Sequence, residues 1–247
     1  MSEGEDQSDK PAGDSITLGN EKQAIEVLAQ SIQGLWEVVN NLTRLRLTKR
    51  LDFRVTIFGS ARVPRDHWVY AAVRDLAKEL GALGCGIVTG GGPGLMQAAN
   101  EGIALAGPEA QKRSMGIRVH LPFEQDVNPF VAEAYEHRTF FSRLHHFVLV
   151  SEAFVVVPGG IGTVLELAMI WQLLQVRKLH QTPLILIGRM WADFVAWGRQ
   201  HFLKPEFGLA SPEDLSIPHC VDTVDEAIAL IRRRYEEWLR EPGGAPR

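Results

Sequence analysis

AFVVVPGGIGTVLELAMIWQLLQVR, residues 153–177, decides the fold. Five apolar residues (153–157) read as a strand, Pro158-Gly159-Gly160 as a turn, and residues 162–177 as a helix. A strand with no polar alternation is buried on both faces, the habit of parallel sheets covered by helices. The same pattern recurs on either side. RVTIF (54–58) ends in Gly59-Ser60, and CGIVT (85–89) ends in Gly90-Gly91-Gly92. SMGIRVHL (114–121), PLILI (183–187) and a short stretch near 217–221 read as further strands. Helical stretches fall between them, about 67–83, 94–106, 138–151, 191–202 and 223–240. The last opens on Asp222-Thr223-Val224-Asp225, an N-cap with acids in the first turn. Strands alternating with helices predict an α/β chain: a doubly wound, Rossmann-like parallel sheet with helices on both faces.

The remaining segments flank that domain. Residues 1–20 hold five acids and one base, so the whole net charge of −4 sits there. With few apolar groups, they are expected to form a disordered acidic tail. Residues 21–50 are expected to form an amphipathic helix, because Ile25, Leu28, Ile32, Leu35, Val39 and Leu42 line one stripe. That stripe either packs on its own domain or forms an oligomer contact. Residues 51–240 carry the sheet domain, and 241–247, rich in Pro and Gly, are expected to fray.

Composition narrows the function. At 247 residues, 45% hydrophobic and 23% charged, the chain is an ordinary globular protein. A net charge of −4 speaks against a dedicated nucleic-acid binder. Two cysteines, Cys85 and Cys220, with no CxxC suit a reducing cytoplasm and supply no thiolate zinc site. No run of 18 apolar residues exists and the N-terminus has no apolar signal core, so neither a membrane span nor a signal peptide is expected. His145 and His146 are adjacent on a predicted helix, about 100° apart, and are read as core or surface histidines. Trp171, Trp191 and Trp197 are expected to pack helices onto the sheet.

Ligands of such sheets bind beyond the carboxyl ends of the strands. Three of those ends are unusual: Gly59-Ser60-Ala61-Arg62, Gly90-Gly91-Gly92-Pro93-Gly94, and Pro158-Gly159-Gly160-Ile161-Gly162-Thr163. Two of them open helices, where unpaired N–H groups and the dipole favour phosphate. Neither is a GxxxxGK[ST] loop, and the first strand is not followed by GxGxxG. Kinase, ATPase and NAD-dehydrogenase readings therefore weaken. Glu166 lies three residues after Thr163, on the same helix face and about 4.5 Å further along the axis. That puts a carboxylate one turn from a phosphate, within range of the sugar of a 5′-phosphate.

At these residues the sequence resembles a family. PGGIGTVLE (158–166) matches the PGGxGTxxE motif of the LOG-type proteins, long labelled "lysine decarboxylases". TGGGPGLMQAAN (89–100) and GIRVHLPFEQDVNPF (116–130) resemble the stretches that go with it, and the likeness runs from about residue 53 to 235. The resemblance implies hydrolysis of the N-glycosidic bond of a nucleoside 5′-monophosphate, of the AMP or cytokinin riboside type. It also implies a catalytic pair, Glu166 and an arginine fifteen residues before the motif proline, which selects Arg143 with Arg138 ranked second. In the plant enzymes a lysine follows that arginine, whereas this chain has Leu144. Glu124 matches a substrate-contacting glutamate. Ser60, Gly90, Gly91, Gly92, Gly159, Gly160, Gly162 and Thr163 would bind the ribose and phosphate. No cofactor or metal is expected, and the assembly is expected to be a homodimer or a larger homo-oligomer. The old label would need a Schiff-base lysine, and none of the seven lysines sits in a strand-end loop. A second reading, a non-catalytic carrier of a nucleotide-like molybdenum cofactor, shares the fold and the glycine loops but has no need of the Arg143/Glu166 pair.

Overall fold

The computed structural model describes residues 25–28, 30–31, 52–120, 126–180 and 182–241. It divides into two units, Met1–Thr48 and Lys49–Arg247. In the first unit, residues 25–28 and 30–31 are helical, with Ile25 and Leu28 exposed. The acidic tail, the rest of the apolar stripe, Glu124 and residues 242–247 lie outside the described residues.

The second unit follows the expected alternation. Its strands are β1 (Arg54–Phe58), β2 (Gly86–Thr89), β3 (Ser114–Val119), β4 (Glu133–His137), β5 (Ala153–Val156), β6 (Leu184–Ile187) and β7 (Pro218–Val221). Its helices are α1 (Trp68–Leu83), α2 (Leu95–Leu105), the short α3 (Pro108–Gln111), α4 (Phe140–Val150), α5 (Ile161–Gln175), α6 (Arg189–Phe202) and α7 (Val224–Arg240). The strands form one sheet in the order β4-β3-β2-β1-β5-β6-β7, every pair parallel. From β1 the chain winds outward through β2 to β4, then returns to the other side of β1 with β5. That reversal between β1 and β5 is the switch point at which open α/β sheets bind ligands.

The apolar strands are legible because they are central. β2, β5 and β6 are buried at every residue, and Val55, Ile57 and Phe58 of β1 are buried as well. On one face Phe53 meets Tyr235 and Trp238 of α7 edge-on. That helix begins with a capping box, Thr223 and Glu226 each bonding the other's backbone N–H.

Strand β4 was not anticipated. Its sequence EAYEH carries two glutamates and is largely exposed, yet it pairs with β3 from Met115↔Glu133 to Val119↔His137. An edge strand needs backbone partners on one side only, so it carries no apolar run. The tryptophans also divide. Trp191 is buried and donates from Nε1 to the Val157 carbonyl at 3.2 Å, and Trp171 donates to the Asp214 carbonyl. Trp197 does not pack as expected: it is half-exposed and stacks beside Phe194 and His201. Among the described residues no helix is long and apolar enough to cross a membrane.

Candidate active site

Three adjacent strands, β2, β1 and β5, end side by side at the switch point, and their loops are tied together by backbone bonds. The Ser60 N–H donates to the Pro158 carbonyl at 3.0 Å, and the Ser60 carbonyl accepts from the Leu95 N–H at 2.9 Å. The middle loop thus holds both glycine loops. Gly94 makes this approach possible: its φ is +65°, and a Cβ there would land on the Ser60 carbonyl.

A buried polar cluster shapes the loop after β2. The Thr89 hydroxyl donates to Asn100 Oδ1 at 2.7 Å and accepts from the Gly91 N–H at 3.0 Å. Asn100 Nδ2 donates to the Ser114 hydroxyl at 2.9 Å. Asn128 Nδ2 is shared between Asn100 Oδ1 and the Gly92 carbonyl, each at 3.0 Å, and its backbone N–H donates to the Gly91 carbonyl. With its polar groups partnered, such a cluster rigidifies what it touches. Asn100 and Asn128 lie within stretches quoted above, but nothing local in sequence marks them as partners 28 residues apart.

These loops surround a cleft of about 530 Å³. Ser60, Gly90, Arg143, Gly160, Gly162, Thr163 and Glu166 line it, together with Arg62, Met96 and Ile161, which the sequence reading did not single out. Gly91, Gly92 and Gly159 do not reach the cleft wall. Gly91 and Gly92 take part in the polar cluster, and Gly159 packs against the Thr163 side chain. Glu124 falls among the residues not described.

Helix α5 begins at the floor of the cleft with Gly160 as N-cap and no side-chain cap. Its first N–H groups are left for a ligand. Thr163 and Glu166, both buried, follow on one face. Arg143 comes from α4, whose N-cap Thr139 accepts from the Ser142 N–H. Arg143 Nη1 lies 3.2 Å from Glu166 Oε1, with the two side chains 12% and 10% exposed. Its Nε donates to the Ile117 carbonyl of β3 at 2.9 Å, and its guanidinium carbon sits 5.2 Å from the centre of the Phe147 ring. Arg138, in contrast, is exposed ahead of α4 and does not line the cleft.

Burial raises the Glu166 carboxyl to about 7, against the pull of Arg143, which favours the anion. Burial also lowers the Arg143 guanidinium, which Glu166 opposes; an arginine nevertheless stays cationic. Glu166 is therefore poised to change charge near neutral pH, a property concentrated at functional sites.

Gly90 sets how closely the loop meets this pair. A Cβ there would lie 2.5 Å from Arg143 Nη2 and 2.6 Å from Met96 Sδ. Gly90→Ala is expected to push the guanidinium off Glu166 and to lower turnover by about tenfold, because a small misplacement of a positioned group is costly. The control is the melting temperature, expected to change little. A Gly90→Ala protein with unimpaired turnover would mean that the pair tolerates displacement.

Behind Arg143 lies a histidine pair. His137 Nε2 and His146 Nδ1 are 2.9 Å apart, and Tyr135 meets the His146 ring edge-on. Burial, then His137 and His145, bring His146 down to about 4, so it is neutral at physiological pH. Among the described residues no group of three or more His, Cys, Asp or Glu is arranged to hold a metal ion.

The family model described as "Possible lysine decarboxylase" matches residues 96–231, more than half of the chain. The chain belongs to this family. It is the LOG-type family that the PGGIGTVLE motif resembles. The family's printed name calls for a lysine in the cleft to hold pyridoxal phosphate; among the described residues the cleft's cations are Arg62 and Arg143, with no lysine. Among curated proteins, the pyrimidine/purine nucleotide 5′-monophosphate nucleosidase of Escherichia coli (strain K12) is 31% identical over 142 residues, 54% of this chain. The matched part spans only 30% of the length of that relative. Among solved structures, the molybdenum cofactor carrier protein of Chlamydomonas reinhardtii aligns with a TM-score of 0.53 at 19% identity, covering 75% of this chain and 99% of that one. The molybdenum cofactor binding protein of Rippkaea orientalis aligns with a TM-score of 0.52 at 18% identity, covering 75% and 98%. At that identity these likenesses establish the LOG-type chain's fold.

Proposed function

We propose that the protein hydrolyses the N-glycosidic bond of a nucleoside 5′-monophosphate, of the AMP or cytokinin riboside type, to a free base and ribose 5-phosphate. The observation that carries this reading is the buried Arg143–Glu166 pair one turn above the uncapped start of α5. The bond from C1′ to the base nitrogen breaks and a water oxygen bonds C1′. One water proton stays on the new C1′ hydroxyl; the other is taken up by Glu166 and ends on the departing base. The transition state is oxocarbenium-like, and an anionic carboxylate beside the sugar stabilises it or activates the water. Glu166 takes that part. Arg143 holds Glu166 in place and offsets charge on the leaving side. Gly160, Gly162 and Thr163, with the first N–H groups of α5, receive the 5′-phosphate. Ser60 and Gly90 face the ribose side. Gly91, Gly92 and Gly159 act by shaping the loops, and Glu124 contacts the substrate as the family resemblance implies. No cofactor enters the reaction.

The test is a panel of nucleotides and nucleosides with detection of ribose 5-phosphate. AMP or a substituted AMP should be cleaved, and adenosine far more slowly. Equal rates on AMP and adenosine would remove the phosphate site from the reading. The carrier reading is separated by the same panel: a carrier would cleave nothing and would retain a pterin chromophore on purification.

We further propose that the protein works as a homodimer or larger assembly in the cytoplasm. Helix α5 is apolar around most of its circumference, yet Ile161 and Leu165 at its outer side and Val176 just past its end are exposed, as are Phe140 and Phe141 on α4. A helix apolar all round is normally buried. Leu165→Glu is expected to shift the mass measured by light scattering towards the monomer. An unchanged assembly in that variant would place the interface elsewhere. The buried Cys85 and exposed Cys220 are both free thiols, which fits a reducing compartment.

A further inference from the structure

We propose that Arg62 is the residue that selects a phosphorylated ligand, its guanidinium closing over the anionic group held at the start of α5. The inference rests on the reading of the cleft as a nucleotide site and adds a residue that neither the motif nor the family match marks. Among the described residues three charged side chains line the cleft: Arg62, Arg143 and Glu166. Arg143 and Glu166 compensate one another at 3.2 Å. Among the described residues Arg62 is left as the uncompensated charge on the wall. The arginine three residues on is engaged: Arg65 pairs with Glu101 at 2.7 Å. Among the described residues the Arg62 side chain has neither an ion pair nor a hydrogen bond.

Its backbone, unlike its side chain, is fixed. The Arg62 N–H donates to the Ser60 hydroxyl at 3.1 Å, and Ser60 is itself bonded to Pro158 at the head of one glycine loop and to Leu95 after the other. The guanidinium therefore springs from a rigid turn on the wall facing the start of α5, while its stem stays free to swing. An arginine fork matches the oxygens of a phosphate in pairs and bonds them more strongly than a neutral donor does. A neutral nucleoside offers nothing for it to hold, so Arg62 favours the phosphorylated compound over the free nucleoside.

The experiment compares the wild type, Arg62→Gln and Arg62→Lys by titration calorimetry with inorganic phosphate and by steady-state kinetics on AMP. Loss of one charge-assisted contact at an exposed position is expected to weaken phosphate binding in Arg62→Gln by about tenfold. The KM for AMP should rise by a similar factor, with the loss in KM exceeding that in kcat. Arg62→Lys should fall between, keeping the charge but not the fork. The melting temperature without phosphate should not move, since the side chain makes no ion pair or hydrogen bond among the described residues; a drop would mark a structural role and overturn the proposal. Equal phosphate affinity in the wild type and Arg62→Gln would overturn it too, as would a wild type that binds no phosphate. A wild type that binds phosphate through Arg62 but cleaves no nucleotide would sink the hydrolase reading and leave Arg62 as the anion contact.

Discussion

Glu166→Gln is expected to slow nucleotide cleavage by about 10²–10³-fold, the usual cost of removing one preorganised electrostatic group, in a protein that still folds. Glutamine has nearly the same shape, and its amide oxygen can still accept from Arg143 Nη1, which now lies 3.2 Å from Glu166 Oε1. What is lost is the negative charge beside C1′. The wild type should also show an acid limb. Burial raises Glu166 to about 7, so the carboxylate form is present above that pH and activity falls as pH drops through it. That limb should be absent from the residual activity of the glutamine variant. The stability linkage has the opposite sense. The folded state holds the Glu166 proton more tightly than the unfolded state, so this group's contribution to stability is fully present below the ordinary carboxylate range and is lost as pH rises through about 7. Full activity in a folded Glu166→Gln protein would rule out the role given to this residue.

Arg143→Ala is expected to cost about 10²-fold or more in turnover, through a different sequence of effects. The guanidinium has three attachments: Glu166, the Ile117 carbonyl and the face of Phe147. Truncating it leaves Glu166 buried with no cation beside it. Breaking a buried pair from one side is usually more damaging than losing both partners. Here the carboxyl can escape by keeping its proton, so the acid limb should move to higher pH as activity falls. A measured pH–rate profile separates this from simple loss of contact, which would lower the curve without displacing it. Arg138→Ala is the paired control and should lose far less, since Arg138 is exposed outside the cleft. Equal losses in the two variants would refute the assignment of Arg143.

The sequence by itself determined the strands buried on both faces. β5 and β6 are apolar throughout and β1 and β2 mostly so, and that composition is readable without neighbours. The glycine loops and the Thr163–Glu166 spacing were readable for the same reason: turn conformation and helix period are local properties. Only the tertiary structure decided what faces what. It added β4, whose EAYEH sequence is polar because an edge strand has a solvent side. It placed Arg143 rather than Arg138 against Glu166, because α4 starts at Phe140 and carries the later arginine inward. It joined Asn100 to Asn128 and, among the described residues, left the Arg62 side chain without an ion pair on the cleft wall. It also set the outer side of the apolar α5 in the open. These outcomes depend on β2, β1 and β5 lying side by side. That adjacency comes from packing between segments up to about a hundred residues apart in the chain, and no local spacing encodes it.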